Sequence, residues 1–385
     1  MKRGLPIFLI LLILFIFIPG CLQGENSRIP DLPVQVSPSA TAVPVQPLPS
    51  LSETPNAATS TTILPVAGLG EQRSFRFTSG KNDYSFTIPV IVPPGMGSAG
   101  VNDCPLMSWR TGEEERLASY YASIFKDPGE APLYDALLGE LRRIRRMEGL
   151  NNDEYLELLT HFVQQIPYDP MAPICPRRPD QVILDGKGDC DEKSLLILGL
   201  LNREGYDAAI LLFPAKHHAT AGIRIETEGH PSFRVYELRG RKYVYIETTR
   251  PSFIGLYPDG FENENPVIIP TGNGTITYRA INDVMHIVST QKRMVDRLRW
   301  INETGTGMFN EIENLEQKLT AGTGYSTQDE YDADYARYTR LVTQYNTYVD
   351  EFGKIREVYL YILGHQCDRQ GVSGRIANSK VENLL

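Results

Sequence analysis

The stretch DGKGDCDEKSLLILGLLNREGYDAAILLF, residues 185–213, decides how this chain is read. A polar, glycine-punctuated turn leads into Cys190. From there to about Arg203 the residues are apolar nearly all round, which predicts a buried helix. Gly205, Tyr206 and Asp207 turn the chain, and strand-like segments follow at 208–213, 218–225 and 233–247. Helix first and strands after is the order of an α+β fold, not of repeated βαβ units. Cys190, alone between acidic residues at the helix start, has two readings: a nucleophile, or a small buried or disulfide-bridged residue.

Working outward, residues 73–92 alternate around SGKND and predict a hairpin. Residues 112–125 and 132–147 have helical periodicity, with Tyr134, Leu137, Leu138, Leu141 and Ile144 on one face of the second. A further helix is expected over 151–166, capped by Asn152 or Asp153. Pro170, Pro173, Pro176 and Pro179 predict an irregular loop before VILDGKGD. From about 279 the chain is helical again, in amphipathic stretches expected to pack antiparallel. The organisation expected is a signal segment at 1–20, a linker at 21–70, a folded domain at 71–278 with its core at 150–260, and a helical extension at 279–385.

The chain's 385 residues are 42% hydrophobic, enough for a substantial core. The net charge of −9, with no basic run interleaved with aromatics, argues against a nucleic-acid partner. Lys2 and Arg3 precede an apolar run from Leu5 to Ile18, broken only by Pro6 and shorter than the roughly 20 residues of a membrane span. It ends in IPGC, which resembles a lipobox and would make Cys21 a lipidated N-terminus; an uncleaved signal anchor is the alternative. Either places the remainder on the extracytoplasmic face of the cell membrane. Residues 30–65 hold eight prolines and ten serines or threonines against two charges, the composition of an extended tether reaching up to about 100 Å. NGT at Asn273 and NET at Asn302 are glycosylation sequons. Cys104, Cys175, Cys190 and Cys367 could form one or two disulfides in that oxidising compartment, and a nucleophilic Cys190 must be left out of them.

A catalytic thiol needs a base within reach and a group that orients the base. The helix start favours a thiolate at Cys190, while Asp189, Asp191 and Glu192 oppose it. AKHHATAGI places His217 and His218 at a strand start, where alternation sends His218, Thr220 and Gly222 to one face and His217 to the other. KYVYIETT brings Glu247 out of an apolar strand, a carboxylate placed to orient an imidazole. Adjacent histidines diverge and no cysteine pair has zinc spacing, so no metal site is expected, and thiol chemistry needs no organic cofactor.

VQQIPYD, GKGDCDEKSLLILGLLNREGYDAAILLF, HHATAGI and YVYIETT, in this order and spacing, resemble the transglutaminase-like superfamily, in particular its exported archaeal and bacterial members. The resemblance covers about residues 150–260. It implies a papain-like core in which the cysteine-bearing helix packs on an antiparallel sheet. It makes Cys190 the nucleophile, His218 the base and Glu247 the third member, where the family usually has aspartate. Tyr168, with Asp189 and His217, would border the substrate. No tryptophan stands where the family would supply an oxyanion donor, so that donor is unassigned, with the backbone N–H of Cys190 as one candidate. The expected function is a membrane-tethered thiol enzyme acting on a protein or peptide at the cell envelope. The alternative is a non-catalytic cell-surface binding module with the same fold. A dominant Cys190–His218 ion pair would keep the thiolate well below neutral pH.

Overall fold

A computed structural model describes residues 70–91, 112–125, 127–173, 175–227 and 233–385. The signal segment, Cys21, nearly all of the linker and Cys104 lie outside the described residues. Two strands, β1 (Glu71–Ser79) and β2 (Asn82–Val90), form the expected hairpin, with Ser79 paired to Asn82 across the turn. Three helices follow: α1 (Glu114–Phe125), α2 (Ala131–Glu148) and α3 (Asn152–Gln164). The cap of α3 is Asn151, one residue before those expected. Its backbone is extended and its side chain accepts from the N–H groups of Asp153 and Glu154, while Glu154 returns the bond to the cap N–H.

The proline-rich loop then gives way to a short helix that the sequence did not suggest, α4 (Pro179–Asp185). Pro179 opens it, a position where a missing N–H costs nothing and the fixed φ suits a helix. Helix α5 (Cys190–Arg203) follows, and every residue from Glu192 to Leu201 is buried.

The sheet is antiparallel, curled, and ordered β5-β6-β4-β3-β7. β3 (Ala208–Phe213) and β4 (His218–Ile225) keep their expected bounds. The segment expected as one strand at 233–247 is instead a hairpin of β5 (Tyr236–Leu238) and β6 (Arg241–Ile246). Its two turn residues, Arg239 and Gly240, both take positive φ, as a tight primed turn requires. β7 (Val267–Pro270), on the far edge beside β3, was not foreseen. Ala208, Ile210 and Leu212 join the main core under α5, whereas Leu211 and Phe213 join Tyr236 and Tyr245 in a smaller cluster on the opposite face. Both faces of the sheet are therefore covered.

The C-terminal region is helical: α6 (Ile281–Ala321), α7 (Gln328–Gly364) and α8 (Arg369–Ser379). At 41 residues, α6 is about 60 Å long. Met294, Leu298, Ile301 and Gly305 in α6, and Phe352, Ile355, Tyr359 and Ile362 in α7, are buried at alternating spacings of three and four, the seam of a two-helix coiled coil. Gly305 faces Tyr345 there, a small residue opposite a large one. The near half of this pair shares the main core, a continuous cluster that runs from Phe77 to Val381. Helix α8 returns to the body: Arg369 pairs with Glu157 of α3 at 2.6 Å and with Asp283 of α6, and Glu157 also accepts from Tyr278 at 2.7 Å. No helix among the described residues is long and apolar enough to cross a membrane.

The hairpin is locked to α3 by Ser79, whose hydroxyl lies 2.8 Å from Nδ1 of buried His161. Burial holds His161 down to a pKa of about 3. Between that value and the unfolded imidazole's value of about 6.5, the unfolded chain binds a proton that the folded one does not. Stability from this group is thus complete above pH 6.5 and is lost as pH falls through that window, by about 2 kcal/mol at pH 5. Urea midpoints measured from pH 7 to pH 5 should fall more in the native chain than in His161→Asn. Equal slopes would exclude His161 as the source.

Candidate active site

The first turn of α5 is built by a reciprocal cap. Asp189 accepts from the N–H of Glu192 at 3.0 Å, and the Glu192 carboxylate accepts from the N–H of Asp189 at 3.0 Å. Arg177 clamps this arrangement: it reaches both Glu192 oxygens, at 2.7 and 2.8 Å, Asp169 at 2.8 Å and Asp185 at 2.7 Å. The loop that includes Cys175 is thereby tied to the helix start. Cys175 is disulfide-bonded to a partner outside the described residues, whereas Cys190 and Cys367 are free thiols.

Cys190 is the first residue of α5 and is part-buried. Its thiol donates to Asp191 at 3.3 Å and meets the backbone N–H of Ala219 on β4. Burial and the Asp191 charge push the thiol well up, and the Ala219 N–H only partly opposes them. Asp191 is itself raised to about 7 by burial and by Asp189, and Asp189 to about 6 by burial. The resting thiol is therefore protonated at neutral pH. The condition for a persistent thiolate, a dominant Cys190–His218 ion pair, is not met: burial and the Asp191 charge outweigh the Ala219 N–H. One turn on, Ser194 donates to the Cys190 carbonyl at 2.6 Å and lies 3.4 Å from the Ala219 carbonyl and 3.3 Å from the Thr248 hydroxyl. The helix start thus rests where β6 parts from β4, just past their last paired residues, Ala221 and Ile246.

Alternation places His218 and Thr220 of β4, with Tyr245 and Glu247 of the β6 segment, on the other side of that opening. Nε2 of His218 lies 2.7 Å from the Tyr245 hydroxyl, and the two rings are nearly parallel, 15° apart. Phe213 and Phe261 enclose them. Burial lowers the His218 pKa, against the pull of Glu247, so the imidazole rests neutral. Glu247 is 3% exposed and accepts from the Thr249 N–H at 2.8 Å and its hydroxyl at 2.6 Å. Among the described residues the side-chain partner of the thiol is Asp191, and that of the imidazole is Tyr245. Burial raises the Tyr245 hydroxyl well above its ordinary value, and the Glu247 charge adds to this.

Buried Gln164 holds the Glu247 segment, and buried Lys193 in turn holds the end of α3. Gln164 donates to the carbonyls of Glu247 and Ser252, each at 2.9 Å. Lys193 donates to the carbonyls of Gln164 at 3.0 Å and Ile166 at 2.6 Å, and its pKa is lowered to about 8 by burial, against the attraction of Glu247.

Of the residues assigned to substrate, Tyr168 is 49% exposed beside the thiol; burial and then Cys190, Asp189 and Asp191 raise its pKa. Asp189 serves as the helix cap. His217 is an exposed turn residue at φ 48, apart from the imidazole–phenol pair. Asn273 lies in an exposed loop, while Asn302 is half-buried within α6 with its side-chain oxygen buried and unpartnered. The sequence reading passed over Tyr245, although period-two alternation puts it on the face of Glu247. It also passed over Lys193, a charge inside an apolar helix. Tyr121 of α1 had no sequence signal; its hydroxyl is fully buried and unpartnered, with a pKa raised by burial and by Asp191. No group of His, Cys, Asp or Glu that could hold a metal occurs among the described residues.

Comparison with protein-family models, with curated proteins and with solved structures returned no match.

Proposed function

We propose that this chain is an extracytoplasmic thiol enzyme of the transglutaminase-like class. Tethered to the membrane at Cys21, it would cleave or transfer at an amide or peptide carbonyl through a thioester on Cys190. One observation carries this reading: the thiol meets the backbone N–H of Ala219, the residue next to His218, so that nucleophile and base approach the same end of β4. A cysteine-bearing helix on an antiparallel sheet, with the carboxylate of Glu247 on the neighbouring strand segment, supports the likeness to a papain-like core.

In this scheme His218 takes the thiol proton as sulfur bonds to the carbonyl carbon. The imidazolium, favoured by Glu247, then returns the proton to the leaving amine, and water or a second amine releases the acyl group. Asp189 takes the N–H groups of Asp191 and Glu192, so the cap leaves the Cys190 N–H for the oxyanion. With no feature among the described residues that excludes water, hydrolysis is the favoured outcome.

The protonated thiol, bonded to Asp191, is the one observation that favours the second reading, a non-catalytic cell-surface binding module. Treatment with iodoacetamide, followed by mapping of the modified cysteine, separates the two. For an enzyme, Cys190 labels, and its rate climbs with pH because the thiol pKa is raised. Asp191→Asn should then speed labelling at pH 8 by about tenfold per unit of thiol pKa recovered. Inertness of Cys190 in both proteins supports the module.

A further inference from the structure

We propose that Tyr245, not Glu247, is the residue that holds His218 in its working tautomer. This rests on the thiol-enzyme reading and refines it. The Tyr245 hydroxyl is the group within hydrogen-bond reach of Nε2, at 2.7 Å, while the Glu247 oxygen Oε1 is taken up by the N–H and hydroxyl of Thr249. Tyr245 is fully buried, and its near-parallel ring and the flanking Phe213 and Phe261 leave the imidazole little freedom to turn.

The chemistry follows from which nitrogen is occupied. In the proposed tautomer Nε2–H donates to the phenol oxygen, the proton-free nitrogen is Nδ1, and its lone pair is the one left to take the Cys190 proton. The S–H bond breaks, an Nδ1–H bond forms, and the imidazolium keeps its Nε2–H bond to Tyr245. Because the phenol stays neutral, it orients the ring without supplying the charge that would create a resting ion pair. That agrees with a thiol and an imidazole which both rest neutral. Glu247 then acts at longer range, as the charge that favours the imidazolium once it forms. Other charged groups around the site include Asp189 at the α5 cap, Asp191 and Lys193 of α5, the Arg177–Glu192 pair behind the cap, and the Lys216–Glu264 pair beyond Phe261. None of these bonds to the imidazole.

Tyr245→Phe removes only the hydroxyl and keeps the ring. In ¹⁵N spectra of histidine-labelled protein at pH 8, His218 of the native chain should show a protonated Nε2 and a bare Nδ1. Tyr245→Phe should lose that preference and slow acylation of Cys190 by p-nitrophenyl acetate about tenfold or more. Glu247→Gln should keep the tautomer and slow acylation by disfavouring the imidazolium. A native chain protonated on Nδ1, an unmoved tautomer in Tyr245→Phe, or its loss in Glu247→Gln would each overturn the proposal. Should Tyr245→Phe fail to fold, the native spectrum still decides. If His218→Ala leaves acylation unchanged, the enzyme reading fails instead, and the tautomer still reports on Tyr245 separately.

Discussion

Replacing His218 by alanine should slow acylation of Cys190 by about 10²-fold or more, the usual scale for loss of a general base. The thiol rests protonated, so the proton must be moved during attack and cannot have been lost beforehand. Burial keeps the imidazole pKa below its ordinary value of about 6.5, so the base is available through the whole neutral range. His217 offers the contrasting case. It is exposed and in the left-handed region, so His217→Gly keeps the backbone without strain and should change acylation by no more than about twofold. The measurement is the burst of p-nitrophenol and the mass of the acylated protein. If His217→Gly were the slow variant, the face assignment along β4 would be wrong.

The second large effect concerns stability. Glu192 is fully buried and takes both its charge partner and much of its hydrogen bonding from Arg177, whose guanidinium also gathers Asp169 and Asp185. Arg177→Ala would strand that carboxylate and should cost about 3–5 kcal/mol, the scale for breaking one side of a buried ion pair. Removing both charges, as Arg177→Met with Glu192→Leu, should recover part of that loss, because the penalty comes from the charge left alone more than from the pair itself. Urea unfolding of the three proteins tests this. A cost below about 1 kcal/mol for Arg177→Ala would place the pair with exposed ones. Cys190 should also label faster in Arg177→Ala, since the loop it anchors borders the thiol.

Much of the fold was legible locally. The bounds of α5, β3 and β4, and the presence of the first hairpin, expected at 73–92 and found at 71–90, follow from side-chain period and turn residues, which act over a few positions. The α3 cap was missed by one residue because Asn151, Asn152 and Asp153 all suit the role, and only backbone angles choose among them. Helix α4 hid behind a proline that both ends and begins helices. β7 is four residues whose strand character depends on the free edge of β3, contributed by residues 209–212.

By itself, the sequence determined the chemistry on offer: a thiol at a helix start, an imidazole at a strand start and a carboxylate at a strand end, each set by local periodicity. Tertiary structure alone decided their partners. Tyr245 reaches His218 from 27 positions away, and Ala219 reaches the thiol across the helix–sheet interface. It also decided the resting charge of the site. In the sequence a dominant Cys190–His218 ion pair stands as one possibility, but burial raises the thiol and lowers the imidazole, and burial is a property of the packed fold that no short window of sequence contains.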